Sequence, residues 1–415
     1  MMKLKIIVPA LLGAMALTLT FGACGKGKSG DKQNKSAAVP KDIAVDQQLR
    51  TRLEAFAEGM KLRGVFGFQV YDITANKPVY GYHEHHTQPS ASCLKLLTGV
   101  AGLHFLGTHY NYRTAIFTKG RQVGDTLQGD VSFKADLDPL LQPEDLNMFV
   151  QALRRKGIQN IAGKLIFDLV LTDPVKSEVH WYPWDLSFSH YGLLYKGETK
   201  VKQALQQSLR HAGITVSDEQ MVVAKTPAGS HCLFRFYRSI DRVIQRMWKN
   251  SSNTQATSLL YTIGHYYDPK QAPAEAGLAY LRHFMRKNLQ LKDTALVIHD
   301  GCGLCTQNQL SPDALVIILR YGYAHPAIYE QLQRNLSIAG VDGTLHSLLR
   351  SDKLKGKIHG KTGTLSHPYG ISSLAGYATG SNGHLLAFAI MDHQMSVLDA
   401  RVLQRKLCEL LVEKP

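Results

Sequence analysis

A serine and a lysine that could act together lie three residues apart at the start of an apolar stretch. Ser92 and Lys95 open the stretch 92–107, whose composition predicts a helix. Residues three apart share one helix face, so the two side chains are expected to be neighbours. A serine hydroxyl is a poor nucleophile until a base removes its proton, and a partly buried lysine can be that base. Taken alone, the pair fits a capping serine and a surface lysine better, because this spacing is common in helices.

A second pair of polar groups lies between two stretches that are predicted to be helical, 240–249 and 253–265. Ser251 and Asn253 follow a Ser-x-Asn pattern. The hydroxyl could relay a proton, and the amide could hold both a lysine and a substrate carbonyl. On its own this pattern predicts an ordinary helix cap.

A third motif precedes a C-terminal hairpin that we predict from strands at 372–379 and 384–391. Lys361 supplies a cation and Thr362 a hydroxyl, and both suit a substrate carboxylate. Gly363 has no side chain, so a substrate backbone could pair closely with the strand edge. Alone, the motif is equally typical of a basic turn.

The three motifs together are more specific than any one of them. Ser-x-x-Lys, Ser-x-Asn and Lys-Thr-Gly occur in the order found in penicillin-binding proteins and β-lactamases. Three longer segments extend the similarity: DGCGL at 300–304, IAGVDGTL at 338–345 and GKTGTL at 360–365. Over about residues 46–395 the chain resembles the D-Ala-D-Ala carboxypeptidase/endopeptidase family, the class C low-molecular-mass penicillin-binding proteins.

The resemblance implies a role for each motif residue. Three residues would be catalytic: the nucleophile Ser92, the proton-transfer group Lys95, and Ser251 in the proton relay. Five would bind substrate: Asn253, Lys361, Thr362, Gly363 and Thr364. The backbone N–H groups of Ser92 and Thr364 would form an oxyanion hole, β-lactams would acylate Ser92, and no metal or cofactor is implied.

The resemblance also implies the fold class and domain organisation. We expect an α+β protein in which helices flank an antiparallel sheet built from residues 46–110 and 235–415. Residues 111–234 would form an inserted, smaller accessory domain of mixed structure. The insert is shorter than is usual in the family, and Ser252 and Cys302 stand where the family has aspartate and serine.

The N-terminus predicts export. Lys3 and Lys5 precede an apolar run at 6–21, and Phe21-Gly22-Ala23-Cys24 follows. This pattern is typical of a bacterial lipoprotein signal with lipidation at Cys24, and the alternatives are a plain cleaved signal and an uncleaved anchor helix. Residues 25–45 predict a flexible basic tether. The expected location is therefore the periplasm, with a lipid anchor in a membrane.

The composition restricts the partners. The 415 residues include 48 Lys plus Arg and 33 Asp plus Glu, a net charge of +15, which favours anionic partners. No nucleic-acid-binding motif accompanies the charge. With 44% apolar and 20% charged residues, a disordered chain and a multi-pass membrane protein are excluded. The partners expected from the resemblance are peptidoglycan stem peptides, with β-lactams as covalent inhibitors.

Two other clusters have metal or redox spacing. Cys302 and Cys305 form a Cys-x-x-Cys pair, but no second Cys or His pair follows at the spacing that a zinc site requires. We therefore favour two buried free thiols, and a disulfide between them is the alternative. The run HEHH at 83–86 is not His-Glu-x-x-His, and a solvated turn is favoured over a metal site.

Three functions compete at this point. The first is an exported DD-carboxypeptidase with possible DD-endopeptidase activity. The second is a β-lactamase or related serine hydrolase on the same fold. The third is a non-catalytic wall-binding lipoprotein, against which the intact motifs argue.

Overall fold

Two six-stranded sheets organise the part of the chain that the computed structural model describes, which is residues 43–59, 64–181, 190–366 and 370–413. The predicted leader with Cys24, and the tether up to residue 42, lie outside the described residues. Among the helices within them, none combines the length and apolar composition that crossing a bilayer requires.

The strands of the described ranges are β1 (Val65–Asp72), β2 (Lys77–Tyr82), β3 (Asn111–Val123), β4 (Thr126–Ala135), β5 (Asn160–Ile161), β6 (Leu165–Asp168), β7 (Met221–Val223), β8 (His231–Ser239), β9 (Ser337–Ile338), β10 (Ile358–Leu365), β11 (Ile371–Thr379) and β12 (Leu385–His393). The helices are α1 (Gln47–Gly59), α2 (Leu94–Leu106), α3 (Leu146–Arg155), α4 (Glu198–His211), α5 (Ile240–Lys249), α6 (Asn253–Tyr267), α7 (Pro273–Lys287), α8 (Pro312–Ala324), α9 (Pro326–Asn335), α10 (Leu345–Leu348) and α11 (Val397–Val412).

The first sheet is antiparallel throughout, in the order β2-β1-β12-β11-β10-β9. Its central strand β11 is buried on both faces, because successive side chains alternate between two helical layers. Leu374 packs in the cluster that contains α1 and α11, whereas Ala375 packs in the cluster that contains α2 and α8. This is the predicted antiparallel sheet flanked by helices.

Helix α2 is central to the second of these layers. Its residues from Leu94 to Leu103 are all buried, which is expected of a helix that is apolar around most of its circumference. Trp248 of α5 donates its indole N–H to the carbonyl of Lys95 at 2.8 Å, and Thr98 donates to the carbonyl of Gly301 at 2.7 Å. The core therefore holds α2 in place from two sides.

The second sheet has the order β7-β6-β4-β3-β8, with β5 also paired to β4, and it mixes parallel and antiparallel pairs. Helices α3 and α4 pack in its apolar core. The boundary predicted at residue 234 falls inside β8, which pairs with β3 as far as Ser239, so the second sheet continues to that residue. The division of the chain into two domains remains a prediction.

Candidate active site

The predicted nucleophile lies in a tight turn just before α2. Ser92 is the middle residue of a 3₁₀ turn, Ala91–Cys93, so it precedes the helix that the sequence had predicted to begin there. Ala91 has a φ of +43°, in the left-handed region that costs a non-glycine residue free energy. Such conformations persist where the surrounding structure enforces them, and they concentrate at functional sites.

Lys95 is fully buried, and its ammonium group has three partners. Nζ donates to Ser92 Oγ at 2.7 Å, to Asn253 Oδ1 at 2.7 Å and to the backbone carbonyl of Cys302 at 2.5 Å. Burial lowers the pKa of Lys95, and the Cys302 and Asp300 side chains oppose that shift. The contact that the Ser-x-x-Lys spacing predicts is therefore present.

The second motif occupies the junction between α5 and α6. Ser251 has a φ of +57°, which interrupts the helical backbone, and α6 begins at Asn253. Both side chains therefore extend from a sharp bend between two helices. Ser251 Oγ accepts a hydrogen bond from Lys361 Nζ at 2.7 Å. Through Lys95 and Lys361, the bend is connected to both other motifs.

Lys361 is a second fully buried ammonium group, on β10. Besides Ser251, its ammonium group donates to the carbonyl of Thr362, at 2.5 Å. Burial, and secondarily the nearby cation of Lys95, lower the pKa of Lys361 to about 7. Thr362 Oγ1 donates to Thr344 Oγ1 at 2.9 Å, which connects β10 to the segment 338–345.

The structure explains the glycine at position 363 by close packing within the protein, in addition to the predicted approach of a substrate backbone. A Cβ at this position would lie 2.7 Å from the carbonyl oxygen of Ser90 and 2.9 Å from the backbone nitrogen of Ser92, and it would also meet Ser373 Oγ. Ser373 Oγ donates to the Ser90 carbonyl at 2.6 Å, and Cys93 Sγ donates to the Lys361 carbonyl at 3.0 Å. Glycine therefore allows β10 to lie directly against the nucleophile turn.

The three motifs open onto one cleft of about 610 Å³. Motif residues among its lining are Ser92, Ser251, Thr362 and Thr364. Thr344, Arg401 and Arg405 are among the other lining residues, and the sequence analysis did not single them out. Thr344 lies in the segment 338–345, whose similarity to the family could have indicated it. Nothing in the sequence distinguishes the two arginines of α11.

A second cavity, of about 750 Å³, also borders the α5–α6 bend. Ser251 and Asn253 line it together with Pro139, Leu140, Gln142 and His190. These last four residues belong to the predicted insert. The insert therefore forms part of the surroundings of the second motif.

The other predicted clusters do not join the cleft chemistry. Cys302 and Cys305 are buried free thiols, and Cys302 contributes its backbone carbonyl rather than its sulfur. In the turn at 83–86, His85 is exposed and lies 3.6 Å from Asp313. Within the described ranges, the one group of side chains spaced to hold a metal is Glu178, His180 and His299, which lies outside the three motifs.

Comparison with known proteins agrees with this geometry. The D-alanyl-D-alanine carboxypeptidase DacB of Haemophilus influenzae is 21% identical over 406 residues, which is 78% of this chain and 84% of that protein. The crystal structure of penicillin-binding protein 4 from Haemophilus influenzae superimposes with a TM-score of 0.73 at 19% identity, over 87% of this chain and 99% of that one. The Bd0816 predatory endopeptidase of Bdellovibrio bacteriovorus, solved with an immunity protein, superimposes with a TM-score of 0.60 at 16% sequence identity. The superposition covers 84% of this chain and 94% of that one.

At these identities the solved structures establish the fold, so the predicted penicillin-binding α+β class is confirmed. The model of the D-Ala-D-Ala carboxypeptidase 3 family (S13) matches residues 49–192 and 194–414, which is most of the chain. The chain therefore belongs to the D-Ala-D-Ala carboxypeptidase 3 (S13) family of peptidases.

Proposed function

We propose that the protein is a serine DD-carboxypeptidase that cleaves the terminal D-Ala from peptidoglycan stem peptides through an acyl-enzyme at Ser92. The observation that carries this proposal is the 2.7 Å contact between Lys95 Nζ and Ser92 Oγ in a site that lowers the pKa of the lysine. A lysine with a lowered pKa is neutral in a larger fraction of molecules at neutral pH, and only the neutral amine can accept the serine proton.

The proposed acylation step combines the contact between Lys95 and Ser92 with the roles that the family resemblance implies for Ser251 and for the backbone of Ser92 and Thr364. Lys95 takes the hydroxyl proton as Ser92 Oγ attacks the carbonyl of the penultimate D-Ala. The backbone N–H groups of Ser92 and Thr364 stabilise the oxyanion. The proton passes through Ser251 to the leaving amine, and D-Ala departs. Water then cleaves the ester, which releases the shortened peptide and restores the serine hydroxyl.

Substrate binding uses the groups around this pair. Lys361 and Thr362 attract the terminal carboxylate. The Asn253 amide contacts both the peptide and the ammonium group of Lys95. Because the terminal carboxylate is an anion, a charged Lys361 is needed for this role, and its lowered pKa makes binding weaken as the pH rises above about 7. Arg401 and Arg405 add positive charge at the α11 side of the cleft.

Cleavage of cross-links, the DD-endopeptidase reaction, uses the same chemistry with a longer leaving group. The similar Bdellovibrio bacteriovorus proteins are described as endopeptidases, and one of them, Bd3459, has been solved acylated with penicillin G. The Haemophilus influenzae protein has been solved with a bound β-lactam. We extend both properties to this chain as part of the proposal.

The experiment that tests this function compares the wild-type protein with Ser92→Ala. We expect a fluorescent penicillin to label the wild type stably and Ser92→Ala not at all, and we expect mass spectrometry of digested muropeptides to show loss of D-Ala or opened cross-links with the wild type alone. The matched control is Ser366→Ala, which changes an exposed serine immediately after β10. Activity that survives in Ser92→Ala would refute the assigned nucleophile. Rapid loss of the label from the wild type would favour a β-lactamase. Absence of both labelling and activity in the wild type would favour the non-catalytic alternative.

We further propose that the protein resides in the periplasm, anchored to a membrane through lipid on Cys24. The supporting pattern is the basic start, the apolar run at 6–21 and the small residues before Cys24. Metabolic labelling with a fatty acid should mark the wild type and not Cys24→Ser, and Cys24→Ser should move from the membrane fraction to the soluble one. Equal labelling of the two proteins would exclude Cys24 as the attachment site.

A further inference from the structure

Glu178, His180 and His299, none of which belongs to the three motifs, bring one carboxylate and two imidazoles together. Their ligand atoms all lie within 4.8 Å of one another. His180 Nδ1 is 2.6 Å from Glu178 Oε1, and the two imidazole ring centroids are 5.2 Å apart at an interplanar angle of 67°. Glu178 and His299 are half-buried and His180 is exposed, so an ion could reach the cluster from solvent.

The spacing of the imidazoles fits a single tetrahedral metal ion. With Zn–N distances of about 2.0–2.1 Å and tetrahedral angles, two imidazoles on one zinc ion have ring centroids about 5 Å apart. The observed centroid separation of 5.2 Å matches that of two imidazoles bound to one ion. The contact between Glu178 and His180 has to widen by less than about 1 Å to become a pair of ligands on the same ion.

Both halves of the cluster are held by one buried polar network. The backbone N–H of His299 donates to Asn308 Oδ1 at 2.7 Å, and Asn308 Nδ2 donates to Asp300 Oδ1 at 3.1 Å. On the other side, Trp181 Nε1 donates to Asp300 Oδ2 at 2.8 Å, and the backbone N–H of Trp181 donates to the carbonyl of Glu178 at 3.0 Å. These bonds fix the backbone from which the side chains of Glu178 and His299 extend, and rigid support of this kind favours a preorganised site.

The donor set selects the class of metal. Two imidazole nitrogens suit zinc and the neighbouring transition metals, whereas calcium and magnesium prefer oxygen ligands. Two histidines and a glutamate leave a tetrahedral zinc ion one position for water. We propose that Glu178, His180 and His299 form a zinc-binding site that links the segment before Trp181 to the network around Asp300. This inference does not depend on the proposed peptidase reaction.

The location gives the site a structural consequence. Asp300 also accepts the backbone N–H groups of Cys302, Gly303 and Cys305, at 3.1, 2.6 and 2.8 Å. The carbonyl of Cys302 is in turn an acceptor for Lys95. A zinc ion would therefore stabilise the insert segment against the loop that holds the buried lysine.

The test uses the full-length chain without an affinity tag, stripped with a chelator and titrated with ZnCl₂. We expect about one zinc ion per chain and a higher melting temperature when zinc is added, with binding weakened at least about tenfold in His180→Ala and in His299→Ala. Glu178→Gln keeps the side-chain size and should weaken binding without unfolding the protein. The exposed His85 supplies the matched control, His85→Ala, which should bind zinc as the wild type does.

Cobalt provides an independent readout of the ligands. The stripped wild type should develop the visible absorption of four-coordinate Co²⁺, and His299→Ala should lose it. The proposal would be overturned if the wild type bound no zinc at micromolar concentrations, or if a His180→Ala/His299→Ala double variant bound it as tightly as the wild type.

Discussion

At the scale of single residues, the proposed chemistry depends on two buried lysines. Lys95 and Lys361 are both inaccessible to solvent, and burial lowers the pKa of each because it disfavours the charged form. Each ammonium group still has oxygen acceptors, which limits the cost of its burial. The same physical cause thus supports the proposed role of Lys95 as a base and makes the charge of Lys361 sensitive to pH near neutrality.

The role of Lys95 leads to a prediction for acylation. In Lys95→Met the Ser92 hydroxyl loses its proton acceptor, so the rate constant for labelling by a fluorescent penicillin should fall by about 100- to 10,000-fold. The exposed Lys357 supplies the control variant Lys357→Met, which should label at the wild-type rate. A melting temperature close to that of the wild type shows that Lys95→Met is folded, and undiminished labelling of the folded variant would exclude Lys95 as the base.

The buried Lys361 leads to a prediction for stability against pH. Its pKa is about 7 in the folded protein and about 10.4 in an unfolded chain, so between these values the unfolded state binds more protons. The lysine therefore destabilises the fold fully below pH 7, and this penalty decreases as the pH rises towards 10, by up to about 1.4 kcal/mol per pH unit.

Lys361→Met removes that penalty. Urea unfolding should show the variant to be more stable than the wild type at pH 6, with the difference between the two shrinking by pH 9. Lys357→Met should show no such pH-dependent difference. A difference that stayed constant from pH 6 to pH 9 would contradict the lowered pKa of Lys361.

At the scale of elements, the site depends on how closely β10 approaches the turn before α2. Gly363 faces Ser90 and Ser92, and Gly303, with a φ of +85°, faces the carbonyl of Ala91. Neither position has room for a side chain, so backbone packs directly against the nucleophile turn at both positions. Close packing of this kind explains how the left-handed conformation of Ala91 is maintained.

Gly363→Ala tests this arrangement. The new Cβ would lie 2.7 Å from the Ser90 carbonyl oxygen, so strand and turn must separate, and a displacement of about 1 Å at the nucleophile should slow acylation by about 100-fold. Gly360→Ala on the same strand is the control, because its nearest neighbours would be 3.2 Å away and small shifts accommodate it. Equal acylation rates for the two variants would show that the approach of β10 is not required.

At the scale of the whole molecule, the second motif borders two cavities that are lined by different parts of the chain. The first is lined by α11 and β10, and the second by residues of the insert such as Leu140 and His190. The insert thus lines a cavity next to the second motif. A net charge of +15 further favours an anionic polymer as the substrate.

Charge leads to a prediction for binding to the cell wall. The inactive Ser92→Ala protein should sediment with isolated peptidoglycan sacculi in low salt and be released as NaCl is raised, because screening shortens the electrostatic range from about 8 Å at 0.15 M to about 3 Å at 1 M. Neutral chitin should retain little protein at any salt concentration. Binding to sacculi that salt left unchanged would show that the net charge does not contribute.

Much of the site was predictable from the sequence because its core is local. The three-residue spacing of Ser92 and Lys95 places their side chains within one helical turn, and this contact is present at 2.7 Å. The family and the α+β fold were predicted from the order of the motifs, and both are confirmed. The helices α7, α8 and α9 were not predicted, although each has a proline in its first turn, a usual sign of a helix start.

The rest was decided by the tertiary structure, because it depends on groups that no motif marks. The Cys302 carbonyl that holds Lys95 comes from 207 residues away, and every residue has a carbonyl, so its sequence carries no signal of this role. The predicted boundary at residue 234 divided β8, because strand pairing with β3 depends on contacts across the chain. Arg401 at the cleft, and His299 beside Glu178, likewise reach their neighbours only when distant segments pack together.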